Sequence, residues 1–184
     1  MMFLAMEWSP VMGIVKGTDF YGDPRGDELC VVAPERAVPA DLCAVPGMRA
    51  RAVHAHIRGH AVLVDHAAVF VHTGRWTVNP RTLWEVPTAP LPGRSTRWTT
   101  DRRLLKKDHV EWPGGVPVTT PVRTTADLLM LKPERGVLGV LEMLRHGVDA
   151  DEVIDFMGER FRGRDTWGAS RLIAQLAVTG VRTR

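Results

Sequence analysis

Gly114-Gly115-Val116-Pro117-Val118-Thr119-Thr120-Pro121-Val122-Arg123-Thr124-Thr125-Ala126-Asp127-Leu128-Leu129 is the stretch whose reading decides the fold. The two glycines permit a tight turn, and the β-branched Val116 and Val118 on either side of Pro117 suggest a short strand after it. Proline brings no amide to a ladder, which predicts an edge strand. Thr120 stands where its hydroxyl can cap a helix, and Pro121 has the φ angle that the first helical position needs. Val122, Ala126 and Leu129 then recur at helical spacing, with Arg123 and Asp127 an i,i+4 pair on the opposite face. A strand delivered straight into a helix is expected. The stretch contains no nucleophile, acid–base pair or phosphate loop, so Thr120, Pro121, Arg123 and Asp127 read as structural first.

Upstream, residues 1–28 are broken by Gly13, Gly17, Gly22, Pro24 and Gly26, which predicts loops and at most a short strand. Residues 29–33 form an apolar run of strand length, closed by Pro34, and 39–46 is turn-rich. A helix is expected over 48–57, with Met48, Val53 and Ile57 apolar and Arg49, Arg51 and Arg58 on the polar side. Residues 61–64 suit a short buried strand. Asp65 is then read as the cap of a helix over 66–72, with Gly74 as its C-terminal stop. Strands are expected at 82–86, 96–100 and 104–112. Downstream lie three helices, over 137–144, 153–161 and 167–178, the second announced by Asp149 and Glu152 in a capping-box pattern. The architecture expected is α+β, a small mixed sheet with packed helices and a helical C-terminal third. An irregular Gly/Pro-rich segment, 1–47, precedes a core, 48–184.

At 184 residues and 45% hydrophobic content the chain can bury a core without staples, which excludes a disordered tail. Cys30 and Cys43 lack a C-x-x-C partner, and no secretory leader or apolar span is evident, so reduced, partly buried thiols and a cytoplasmic, membrane-free protein are expected. Net charge is only +3 but segregated. Arg94, Arg97, Arg102, Arg103, Lys106 and Lys107 face Asp101 alone in residues 94–107; the tail from Arg160 is arginine-rich, and 133–159 is acidic. The basic stretch, with Trp98 among its arginines, has the composition to follow a phosphate backbone and stack a base, or to form a charged hairpin with Trp98 packed inward.

Five of the seven histidines, His54, His56, His60, His66 and His72, crowd into nineteen residues. His56 and His60 are spaced for a metal on a helix, with Asp65 as a carboxylate ligand, but Gly59 interrupts that helix and no H-E-x-x-H or thiol partner completes a set. A metal-dependent enzyme using this cluster is therefore an alternative reading, and no cofactor is expected. Asp149-Ala150-Asp151 resembles a magnesium-holding D-x-D pair, yet helix capping accounts for both acids. No Asp or Glu is followed two positions later by Lys, as a Vsr-like nuclease would need, and no G-x-S-x-G, Walker loop or G-x-G-x-x-G is present. A cysteine nucleophile paired with a histidine stays open, although chance alone supplies such pairings.

Residues 115–128 resemble the G-[IV]-P-V-T-[ST]-P-x-R-T-x-x-D-L signature of AbiEi-like antitoxins, from type IV abortive-infection toxin–antitoxin systems. Ala61-Val62-Leu63-Val64-Asp65-His66-Ala67-Ala68 is similar to that family's A-V-L-S-H-x-x-A-A segment, and residues 147–176 to its arginine-rich terminal helices. The resemblance implies a non-enzymatic regulator that counteracts a nucleotidyltransferase-type toxin and represses its own operon through an N-terminal winged helix. No helix-turn-helix pattern precedes residue 48, and the chain stops at Arg184, before the Vsr-like nuclease of longer relatives. The expectation is an antitoxin-like module that binds a toxin protein and, as the alternative, double-stranded DNA as a sequence-tolerant transcriptional regulator. Arg94, Arg97, Trp98, Arg102, Arg103, Lys106, Lys107 and Arg123 are the expected contact surface for an acidic partner protein or DNA.

Overall fold

The structure, a computed structural model, describes residues 15–16, 29–33, 36–55, 57, 61–80, 88–90, 103–131 and 133–181. It is α+β with a helical C-terminal part. β1 (Val15–Lys16), β2 (Leu29–Ala33) and β3 (Arg36–Pro39) make an antiparallel sheet in the order β1-β3-β2. A second sheet, in the order β5-β4-β7-β6, joins β4 (Ala61–Leu63), β5 (Thr88–Pro90), β6 (Val110–Glu111) and β7 (Val118–Thr119). β4 and β7 pair in parallel at Leu63 and Val118, and the outer pairings are antiparallel. The helices are α1 (Pro46–His54), α2 (Asp65–Thr73), α3 (Pro121–Leu131), α4 (Pro133–Arg145), α5 (Ala150–Arg160) and α6 (Trp167–Val181).

α2 holds the molecule together. Every residue from 65 to 72 is buried, so no polar stripe marks this helix. Its Ala67, Ala68, Phe70 and Val71 pack with Val32, Val38, Ala50, Val53, Leu63 and Val118. Val69, on the other side, joins Leu128, Val140, Met143, Val153, Met157 and Ile173 from the C-terminal helices. The division placed between residues 47 and 48 runs through the first of these cores. Gly74 ends α2 in the left-handed conformation, φ 79°, and its amide donates to the Phe70 carbonyl. Trp76 then stacks on Phe70 at 4.6 Å and donates from Nε1 to the Val31 carbonyl at 2.9 Å.

The decisive stretch folds as a turn, a strand and a helix. Gly114 and Gly115 have φ of 63° and 83°. Gly114 also meets Gly47 of α1 so closely that a methyl group on it would lie 2.5 Å from the Gly47 carbonyl oxygen. β7 is an inner strand of its sheet, not the edge that Pro117 predicts. The reason is register: Pro117 lies just before the strand, and only its carbonyl is used, accepting from the Leu63 amide at 2.9 Å. Thr120 caps α3, its Oγ1 accepting from the Arg123 amide at 3.3 Å and its carbonyl from Thr124 at 2.8 Å.

Four other expectations are corrected. Asp65 does not cap α2: Val64 is the cap residue, and the Asp65 carboxylate is turned to a buried arginine. Residues 104–112 are not one strand, because a 3-10 turn at Lys107–His109 leaves only β6. α1 ends at His54, not at 57, and Arg49, placed on its polar side, is buried. Its Nε donates to the Val71 carbonyl at 2.8 Å and Nη2 to His72 at 3.0 Å; Nη1 donates to Cys43 and Ala44 at 3.0 and 3.1 Å. The helix expected over 137–144 begins earlier, at Pro133, which suits a first helical position. The helices expected over 153–161 and 167–178 are α5 and α6, and Asp149 caps α5 by accepting from the amides of Asp151 and Glu152. The strands expected at 82–86 and 96–100 lie outside the described residues. No helix among the described residues is long and apolar enough to cross a membrane.

Candidate partner-binding groove

Two arginines expected at the surface are inside. The side chains of Asp65, Arg103, Asp127 and Arg123 are 0, 5, 1 and 2% exposed. Arg103 forks onto Asp65, Nη1 to Oδ1 at 2.5 Å and Nη2 to Oδ2 at 2.7 Å, and its Nη1 also reaches Asp127 Oδ2 at 3.3 Å. The same Oδ2 accepts from Arg123 Nε at 2.8 Å. This fork-to-fork geometry is the pairing that lets charge stay ionised away from water. Arg103 and Arg123 thus leave the contact surface read from the sequence. The i,i+4 spacing did put Arg123 beside Asp127, but the face they share turns inward because Arg103 arrives to neutralise it.

Arg123 also orients a histidine. Its Nη1 donates to His109 Nδ1 at 2.9 Å, and the Lys106 amide donates to the same nitrogen at 3.3 Å. Nδ1 accepts twice, so the proton of the neutral ring sits on Nε2. Burial, and next the positive charge of Arg123, hold the His109 pKa below its ordinary value. Phe156 of α5 meets the His109 ring edge-on at 5.2 Å, and the Arg123 guanidinium stands 6.0 Å from the Phe156 ring centre. The Leu104 carbonyl accepts from Arg160 at 2.6 Å and Arg123 at 3.4 Å, pinning the end of the basic stretch to α3 and α5.

Above this network opens a groove of about 570 Å³. Thr120, Pro121 and Val122 form one wall, Met143, His146 and Val148 another, and Glu152 and Phe156 of α5 a third. Asp108, His109, Glu111 and His72 close it from the β6 side, and Asp149 stands at the start of α5. The lining holds four carboxylates, three histidines and, among the described residues, neither lysine nor arginine. His72 Nε2 donates to the Thr119 carbonyl at 2.8 Å, leaving Nδ1 3.4 Å from the Glu111 carboxylate. Burial lowers the His72 pKa, opposed by the Thr119 hydrogen bond and the charge on Glu111.

Of the remaining expected contact residues, Lys106 and Lys107 are exposed beside Asp108, while Arg94, Arg97, Trp98 and Arg102 lie outside the described residues. Thr120 and Pro121 cap and start α3 as read, and both line the groove. The histidine cluster does not converge where it is described. His66 bonds Thr77 Oγ1 at 2.8 Å, His72 faces Thr119 and Glu111, and His54 ends α1; His56 and His60 lie outside the described residues. No group of three His, Cys, Asp or Glu side chains among the described residues is arranged to hold a metal ion.

Sequence reading missed Asp108, His109, Glu111, His146, Glu152 and Phe156. They come from three separate segments and share no spacing; the acidic bias of 133–159 was the one signal pointing to this face. No family model, no curated protein and no solved structure matches the chain.

Proposed function

We propose that this chain is a non-enzymatic, antitoxin-like regulatory module that holds a basic segment of a partner protein, of the nucleotidyltransferase toxin type, in the groove beside α3. One observation carries the reading: the groove gathers four carboxylates and three histidines around an apolar floor with no lysine or arginine among its described lining. Such a lining attracts cationic side chains and repels phosphate, and Val122, Met143, Val148 and Phe156 offer the apolar contact that turns steering into residence. The signature residues Thr120 and Pro121 build one wall, and Arg123 and Asp127 fix His109 from beneath. Their charges are spent on each other, which suits a scaffold for recognition rather than a reacting centre.

Duplex DNA is the second reading, favoured by the exposed neighbours Lys106 and Lys107. The test separates them. The product of the adjoining gene is titrated by calorimetry, and the chain's upstream DNA by fluorescence anisotropy at low and physiological salt. Asp108→Lys with Glu152→Lys, both exposed, should weaken the protein complex by about tenfold or more. Unchanged affinity removes the groove from the interface. Binding to the upstream duplex and to a scrambled one alike, collapsing between low and physiological salt, with no protein complex, replaces this reading with the second.

A further inference from the structure

His72 stands in the last turn of α2 with its side chain 7% exposed, and its Nε2 meets the Thr119 carbonyl at 2.8 Å. A carbonyl only accepts, so Nε2 carries the proton and Nδ1 of the neutral ring carries a lone pair. That lone pair faces Glu111. Nδ1 lies 3.4 Å from Glu111 Oε1, and no hydrogen bond meets Nδ1 among the described residues. The strand pairing fixes this approach: Val110 lies across from Thr119 and Glu111 across from Val118, so both neighbours of the ring come from adjoining strands.

Two acceptors held against each other need a donor between them. It can be a proton added to Nδ1, or an N–H group brought by a ligand. Burial opposes the first, because it disfavours the charged ring. Access favours the second, since the Glu111 side chain is 42% exposed and both residues line the groove.

We propose that His72 and Glu111 are the cation seat of the groove, where Nδ1 and the carboxylate share the N–H donors of one lysine ammonium or arginine guanidinium; the inference rests on the reading of the groove as the holder of a basic segment. The charge of the ligand goes to Glu111 and a second donor to the His72 lone pair, a demand that an uncharged side chain meets only in part. Val122, Met143 and Val148, in the same lining, offer contact to the methylenes of such a side chain.

A proton and the ligand compete for one lone pair. Once Nδ1 is protonated, His72 pairs with Glu111 itself and the seat is filled. Groups on every side of the ring set this titration. Burial opposes the proton, as do His146 beyond the end of α4 and Arg49 of α1, whose Nη2 donates to the His72 carbonyl; the Thr119 carbonyl of β7 and Glu111 of β6 favour it. The start of α3 presents the uncharged Pro121 and Val122, and Asp108, His109, Asp149 and Glu152 complete the titratable lining. Ligand affinity is therefore complete above about pH 6.5 and falls below the folded-state value of His72, by up to about tenfold per pH unit.

The experiment titrates N-acetylated, C-amidated tetralysine and tetra-arginine into the whole chain by calorimetry, with tetracitrulline as the uncharged control. At about pH 7.5 at least one cationic peptide should bind and the control should not. Glu111→Gln should weaken that binding about fivefold or more. Affinity should fall between about pH 6.5 and 5, and His72→Gln, which keeps a donor for the Thr119 carbonyl but has no proton to gain, should flatten the fall. Nitrogen NMR of the imidazoles in the unaltered chain reads the seat directly: the His72 pKa should drop when peptide saturates the groove. Circular dichroism checks that His72→Gln is folded; the partly exposed Glu111→Gln and the NMR titration decide the matter without it. No cationic binding, equal binding of tetracitrulline, affinity untouched by Glu111→Gln, or a His72 titration that peptide does not move would overturn the proposal. Asp108→Lys with Glu152→Lys tells the two readings apart. If that variant weakens peptide binding and Glu111→Gln does not, the groove stands without this seat; if neither does, both fall.

Discussion

Replacing Arg103 with methionine is the sharpest probe of the buried charge network. The substitution keeps an unbranched chain of similar length but removes both bonds to Asp65 and the third to Asp127. Asp127 keeps Arg123 at 2.8 Å, so it stays compensated. Asp65, whose carboxylate is fully buried, loses the two-bond fork from Arg103. Removing one partner of a buried pair costs about 3–5 kcal/mol, and Arg103→Met should sit in that range. The control is the double variant Asp65→Asn, Arg103→Met. Asn tolerates the left-handed backbone that Asp65 adopts, φ 51°, and carries no charge. It should recover about 1–2 kcal/mol relative to Arg103→Met alone. Equilibrium unfolding in urea, followed by tryptophan fluorescence and extrapolated to water, measures both. A loss below about 1 kcal/mol for Arg103→Met, or a double variant no more stable than the single, would refute the claim that this pair is buried and coupled.

Two further outcomes are expected. Burial lowers the pKa of His109 and His72 below the ordinary 6.5, so the unfolded chain binds protons that the folded chain refuses. Their contribution to stability is complete above about pH 6.5 and is lost as pH falls from there through the folded-state values. Unfolding curves from about pH 7.5 to 5 should show this decline, and His109→Gln should flatten part of it; a slope unchanged by that variant would contradict the assignment. At the α3–α4 contact, a methyl group on Gly136 would lie 2.5 Å from the Leu128 carbonyl oxygen, whereas one on Gly139 meets the Leu128 Cδ1 at 2.7 Å. Gly136→Ala should cost about 1–3 kcal/mol and Gly139→Ala less, since a methyl tip can swing aside and a carbonyl cannot; thermal melts that rank them the other way would refute the close approach.

What was legible in the sequence was local. Thr120 and Pro121 at the head of α3, Gly74 at the end of α2 and Asp149 before α5 each act through backbone within a turn of themselves, and each is where its residue type predicts. Burial of charge was not legible. Arg49, Arg103 and Arg123 look like solvated arginines because their partners lie far along the chain: the Val71 carbonyl is 22 residues from Arg49, and Asp65 is 38 from Arg103. Asp65 reads as a cap for the same reason, since only the fold reveals the arginine that claims it. The groove is a meeting of segments around residues 72, 110, 120 and 150, and no periodicity within any one of them anticipates it.

The parallel pairing of β4 with β7 has a kinetic consequence. It is one residue pair wide, and Leu63 and Thr119, joined by a hydrogen bond, are 56 residues apart in the chain. Closing that loop must be nearly complete before any contact at the seam repays it, and α2, which β4 leads into, has no polar face with which to wait in water. The seam should therefore zip late, after α3, α4 and α5 have found each other. In native-state hydrogen exchange the Leu63 amide, held by the Pro117 carbonyl, would then exchange through a partial opening of this seam, ahead of the amides inside α3, α4 and α5.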